Sequence, residues 1–284
     1  MFGLKRILVP IDFSAASEAV APYAKALAEQ FGSELILMHV EHPRRVLGGI
    51  RGRAQRDATV QEDFNAEFEA LSNSEFQGLP VKRHVVEGEP AAKIVELAQA
   101  KKIDLIMIPT RGCGRYRRFL LGSVAAKVLH DSDCPVWTSV HLEAAIHKGP
   151  VPRKIACAID LGPHTERVLE WASGMATALR AGLLLLHAAA PLDPLIEEAS
   201  APLASVQKME EAQQKLNDLV CKMKLQAEIE VETGAVSEVI YRHTARFPAD
   251  LLVIGRHTAP GIAGRLHPHA YAIIRDSPCP VVSI

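Results

Sequence analysis

In "KRILVPID" (residues 5–12) a basic pair leads into an aliphatic run that ends on Ile11-Asp12, and "RKIACAID" (153–160) repeats the pattern with Asp160 opposite Asp12. The echo continues outward from that stretch. "ELILMHV" (34–40) is answered by "GLLLLHA" (182–188), with His39 opposite His187. "HVVEGEPAAKIVELAQAKKIDLIMIP" (84–109) is answered by "EVETGAVSEVIYRHTARFPADLLVIG" (230–255), pairing Asp104 with Asp250. "DSDCPVWTSV" (131–140) is answered by "DSPCPVVSI" (276–284), pairing Cys134 with Cys279. Self-similarity at so steady an offset points to two homologous domains in tandem. A chain of 284 residues is long enough for each to bury its own core. Residues 141–152, "HLEAAIHKGPVP", match neither copy and read as the linker, which sets the domains at 1–144 and 150–284.

Each copy alternates short Val/Ile/Leu runs with stretches of helical period, the pattern of parallel strands covered on both faces by crossover helices. The runs predict five strands per copy: 5–11, 34–40, 82–87, 104–109 and 135–140, then 153–159, 182–188, 228–233, 250–255 and 280–284. "SAASEAVAPYAKALAEQFG" reads as one helix from an N-cap at Ser14 to a stop at Gly32, and "AAKIVELAQAKK" and "GSVAAKVLHDS" supply later ones. The fold class is therefore α/β: two doubly wound domains, each a five-stranded parallel sheet with helices on both faces, Rossmann-like in layout. The last strand of each copy has no helix after it, so pairing the two domains through these strands is expected to protect both edges.

Composition excludes several classes of function. Hydrophobic residues at 48% and charged residues at 23%, with a net charge of −1, argue against disorder and against broad nucleic-acid binding. The longest apolar run, "AGLLLLHAAAPL" (181–192), is too short for a bilayer, and no signal peptide is evident, so a cytoplasmic location is expected. The five cysteines lie far apart with no CxxC spacing and read as spectator thiols.

In an open parallel sheet, ligands sit beyond the carboxyl ends of the strands where the strand order reverses. Three segments of the first copy end there: "VPIDFS", "MHV" and "PTRGCGRYRRFLLGSV" (109–124), the last with four arginines and no acid. Asp12 can accept from ribose hydroxyls or a base amine, the backbone at His39 and Val40 can read a base edge, and the glycine-arginine loop can hold phosphates. Glycine permits close approach of the backbone, arginine offers paired donors, and a helix opening at Gly122-Ser123 presents its amides. Other roles stand beside these. Asp12 can cap the helix near Ser14, the arginines can be a solvated loop, and the two histidines recur as packing groups would.

With these residues in view, the chain resembles the universal stress proteins in their tandem form. The resemblance rests on "ILVPIDFSAAS", "ILMHV", "GEPAAKIVELAQAKKIDLIMIP" and "RGCGRYRRFLLGSVAAKVLHDSDCPV". It implies an adenine nucleotide alpha hydrolase-like fold and, in nucleotide-binding members, ATP gripped by a GxxG, nine residues, then Gly-Ser or Gly-Thr. Here that motif falls on Pro109, Thr110, Arg111 and Gly112, then Gly122-Ser123, with proline in place of the first glycine and Gly114 nearby. The implied binding set is Pro10, Ile11, Asp12, His39, Val40, Pro109, Thr110, Arg111, Gly112, Gly114, Arg115, Gly122, Ser123 and Val124. ATP leads ADP and AMP as the ligand, with Mg2+ as an allowed companion.

The second copy reads Gly255, Arg256, His257, Thr258, nine residues, then Pro268-His269, a degenerate motif. One nucleotide in the first half and none in the second is the expectation. His257, His267 and His269 invite a metal, but no carboxylate or cysteine spacing supports one. Residues 41–60, arginine- and glycine-rich and longer than an ordinary connection, read as either a mobile lid over the phosphates or a disordered loop. Their counterpart, "APLDPLIEEASAPLASVQ" (190–207), reads as a proline-rich acidic connection.

No GxxxxGK[ST], GxGxxG, GxSxG or HExxH motif is present, so dedicated catalysis is not expected. The reading is a nucleotide-dependent stress sensor or regulator. A protein-interaction module without nucleotide and a weak ATP hydrolase stay open beside it, as do an unknown protein partner and a homodimer.

Overall fold

The computed structural model describes residues 2–41, 68–69, 71, 75–110, 121–139, 149–189, 201–256 and 268–284. Two compact units emerge: Leu4–Trp137, and Thr138–Ile284 together with Met1–Gly3.

The first half carries β1 (Arg6–Pro10), β2 (Glu34–Glu41), β3 (Val81–Glu87), β4 (Leu105–Pro109) and β5 (Val136–Ser139) in the order β3-β2-β1-β4-β5. β2 pairs parallel with β1 from Arg6↔Glu34 to Pro10↔Met38, and β4 pairs parallel on the other side through Ile7↔Leu105. The order reverses between β1 and β4. Ile7, Leu8, Leu35, Leu37, Leu105 and Ile106 are all essentially inaccessible to solvent, as a sheet covered on both faces requires.

The second half repeats this layout with β6 (Lys154–Ala158), β7 (Gly182–Ala189), β8 (Glu228–Thr233), β9 (Leu251–Ile254) and β10 (Val281–Ser283), in the order β10-β9-β6-β7-β8. Even the register recurs: Lys154↔Gly182 stands where Arg6↔Glu34 stood.

One carboxylate per half fastens the central strand. Asp104, just before β4, accepts hydrogen bonds from the amides of Lys5 and Arg6, both at 2.8 Å. Asp250 does the same for Arg153 at 2.9 Å and Lys154 at 3.0 Å. The sequence repeat paired these aspartates, and the structure supplies their work.

Helices follow the expected positions with two differences. The expected helix from Ser14 is divided into α1 (Ala15–Glu18) and α2 (Ala21–Phe31). Pro22 is the reason, since it lacks the N–H that would bond the carbonyl four residues back, so a new helix starts around it instead. Ser14 is the N-cap of α1 as expected, accepting from the Ser17 amide at 3.3 Å. α2 ends on Gly32 at φ 64, a left-handed cap.

α3 (Pro90–Ala100) is capped by Glu89, whose carboxylate accepts from the Ala92 amide at 2.8 Å, and α4 (Ser123–Asp131) follows the glycine-arginine segment. In the second half come α5 (Thr165–Leu179), α6 (Ala201–Met223), α7 (Val236–Arg246) and α8 (Pro268–Asp276). The second difference lies in α6: residues 201–207, read as connection, are helical. Pro202 sits in the first turn, where proline is accepted because its missing N–H would have had no intrahelical partner. Among the described residues no helix is long and apolar enough to cross a membrane.

Candidate functional site

The reversal between β1 and β4 gathers most of the described site residues at one end of the first sheet. Pro10 closes β1 and Ile11 follows it, buried; the Ile11 amide donates to the Met38 carbonyl of β2 at 2.8 Å. His39, half-buried on β2, donates from Nδ1 to the Ile11 carbonyl, also at 2.8 Å. The turn after β1 is thus held to β2 by an amide and by an imidazole. His187 and the Ile159 carbonyl repeat the bond at 2.8 Å in the second half, which marks this histidine as a brace of the turn. Val40 continues β2 beside Val86 of β3.

Asp12 stands exposed at the end of this turn. Its Oδ1 accepts from the Ser14 amide at 3.1 Å and from the Ser14 hydroxyl at 2.5 Å. Burial pushes its carboxyl upward, but hydrogen bonds from the hydroxyls of Ser14 and Ser17 and from the Ser14 amide outweigh that and leave it below its ordinary value. Asp12 therefore stays an anion at neutral pH and orients the start of α1. A carboxylate accepts at up to four lone-pair positions, so the capping role and a ligand role are compatible. In the second half Asp160 accepts from the Gly162 amide at 2.9 Å, with glycine where Ser14 stood.

The residue after each aspartate adopts a left-handed conformation, φ 55 at Phe13 and φ 59 at Leu161. For bulky side chains this backbone is costly, on the order of 1–3 kcal/mol, and such strain collects at binding turns. Here it brings the Phe13 ring to 5.1 Å from His39 and 5.2 Å from Phe68, centroid to centroid. Neither residue type signals φ above zero, so sequence reading missed this feature.

The end of β4 and the start of α4 frame the glycine-arginine segment. Pro109 is the buried last residue of β4, and Thr110 beyond it is 4% exposed. The Gly122 amide donates to the Thr110 carbonyl at 2.7 Å, tying the start of α4 to the end of β4. Gly122 is the N-cap, with extended backbone and no side chain to offer the helix, so first-turn amides at Ser123 and Val124 are left for another acceptor. Ser123 is exposed and Val124 half-buried. Arg111, Gly112, Gly114 and Arg115 lie outside the described residues, as do His257 and His267. Among the described residues no group of three His, Cys, Asp or Glu is placed to hold a metal ion.

In the second half the corresponding region forms a partly open cavity of about 210 Å³ at the carboxyl ends of β6, β7 and β9, lined largely by aliphatic side chains together with Asp160 and His269.

These features belong to a two-domain α/β class with a ligand edge at its strand ends, and comparison with known proteins gives the family. The profile of the universal stress protein family matches residues 3–139 and again 152–284, and the chain belongs to that family. The universal stress protein MJ0531 of Methanocaldococcus jannaschii is 33% identical over 135 residues, covering 46% of this chain and 79% of its own length. MJ0577 of the same organism is 29% identical, with 46% and 92% covered. In fold, the chain is similar to a universal stress protein from Archaeoglobus fulgidus, with TM-score 0.68 and 20% identity over 98% of this chain and 95% of the other.

Proposed function

We propose that the first half binds an adenine nucleotide, ATP ahead of ADP and AMP, and that the protein acts as a cytoplasmic nucleotide-dependent sensor or regulator of the stress response. The observation that carries this is the convergence at one sheet end of an ionised Asp12, the braced turn at Ile11, the β2 backbone at His39 and Val40, and a helix whose glycine cap leaves its first amides to an outside acceptor. In this reading Asp12 takes the ribose or base, and the Ser123 and Val124 amides with Arg111 and Arg115 take the phosphates. Ser123, exposed at the helix start, is where a magnesium-bound phosphate would meet the protein. Pairing of the two halves through their last strands is part of the proposal, and NMR relaxation tests it: independent tumbling of the halves would rule it out.

Equilibrium dialysis with ATP, ADP and AMP tests the reading. Binding well below millimolar by the wild type, lost in Arg111→Ala combined with Gly122→Val, is the expected result. No binding by the wild type, or undiminished binding by the double variant, overturns it. Pro109 favours a second reading. Its buried ring removes a backbone donor from the phosphate loop, and a protein-interaction module without nucleotide would then bind neither ATP, ADP nor AMP.

A further inference from the structure

The second half keeps the geometry of the first but changes the chemistry around its strand ends. Its cavity of about 210 Å³ lies against Asp160, the counterpart of Asp12, and its walls include Val168 of α5, Leu186 of β7, Ile240 of α7 and Ile273 of α8, with His269 of α8 also lining it. All four aliphatic side chains are buried. At roughly 30 Å³ per molecule the space would hold about seven waters, yet most of its wall offers them no hydrogen bond. Closed aliphatic cavities of about 150 Å³ take up benzene-sized molecules; this one is partly open to solvent, so such a molecule can enter it from outside. The space is also smaller than the roughly 300–1,000 Å³ of pockets that take drug-sized ligands.

Charge decides what kind of small molecule fits. Asp160 is the acidic group lining the cavity, and its Oδ1 already accepts the Gly162 amide, so it offers further acceptor capacity and no donor. A phosphate there would meet the Asp160 carboxylate as a like charge, with His269 as the one lining side chain able to donate to it, whereas an amine or hydroxyl would be bonded by Asp160 itself. We infer that this cavity is a second binding site, for a compact, largely apolar molecule bearing one amino or hydroxyl group and no phosphate. The two halves then report on different ligands: the degenerate second motif lost polyphosphate and gained an apolar pocket.

Calorimetric titration of the full-length protein with benzylamine, benzyl alcohol and benzyl phosphate tests this. Benzylamine and benzyl alcohol bind, benzyl phosphate binds at least about tenfold more weakly, and saturating ATP leaves benzylamine binding unchanged. Ala188→Phe, which fills the cavity from the end of β7, abolishes binding of both. Asp160→Asn keeps an acceptor for Gly162 and the cavity shape, so it serves if the filled variant does not fold. It weakens benzylamine by about fivefold or more and leaves benzyl alcohol within about twofold. No binding of either probe up to about 10 mM, benzyl phosphate binding as tightly as benzylamine, displacement by ATP, survival of binding in folded Ala188→Phe, or equal benzylamine affinity in Asp160→Asn would each overturn the inference.

Discussion

At Asp12 two jobs fall on one carboxylate, and pH separates them. Hydrogen bonds hold its folded value below the ordinary 3.8, so its contribution to stability is complete above that value and is lost as pH falls through the depressed one. The stability gap between wild type and Asp12→Ala, measured by urea unfolding, is therefore expected to be constant near neutrality and to close in acid. Asp12→Asn keeps an acceptor for Ser14 but not the charge. A nucleotide affinity that falls while stability holds would assign Asp12 to the ligand as well as to the cap. Cysteine chemistry is also decided residue by residue. Burial pushes the Cys157 thiol up to about 12, whereas Cys221 is exposed on α6. Iodoacetamide followed by peptide mapping should modify Cys221 in the folded protein and Cys157 only after denaturation. The braces formed by His39 and His187 were legible as a recurring residue, but their partner carbonyls lie 28 residues away and leave no local signal.

Among the elements, strand positions were legible in the sequence to within about a residue, because aliphatic runs buried on both faces leave little freedom in placement. Expected strands 34–40 and 250–255 became Glu34–Glu41 and Leu251–Ile254. Helices were less legible at two prolines, since Pro22 breaks α1 from α2 and Pro202 stands in the first turn of α6. Helix ends offer a matched experiment between the halves. Gly32 at φ 64 closes α2 with nothing within 4 Å of the point where a Cβ would stand, while Arg180 at φ 53 closes α5 in the same left-handed conformation. Only the backbone cost differs, so Gly32→Ala should destabilise by about 1 kcal/mol and Arg180→Gly should be neutral or stabilising by a similar amount. Thermal unfolding of both variants checks the pair. The aspartate clamps belong to this scale too. Asp104→Ala frees two amides at the start of β1 and should cost about 1.5 kcal/mol in urea unfolding, with Asp250→Ala doing likewise for β6.

For the whole molecule, duplication explains both what was legible and what was not. A repeated layout exposes the architecture, since strand order and register recur half against half. The copies diverge around their strand ends, and there the residue types alone did not show that the second half forms a partly open cavity. Ligand binding should then act on the halves unequally. ATP at about a hundredfold over its Kd would add about 2.7 kcal/mol to the unit that binds it. Hydrogen exchange is expected to slow at residues 10–12, 39–40 and 122–124 on adding ATP, and to be unchanged at 158–160 and 187–188. Equal protection of both sets would contradict a nucleotide site confined to the first half.

The bond from the Gly122 amide to the Thr110 carbonyl makes the intervening stretch an exchangeable cassette. Its two anchor points are fixed by β4 and α4, and the entropy of closing such a span grows only slowly with its length. A phosphate-gripping sequence from another member of the family could be spliced between these anchors, or Pro109 replaced by glycine, without redrawing the sheet. The ligand proposed for the first half is thus open to being changed by transplanting a single short insert.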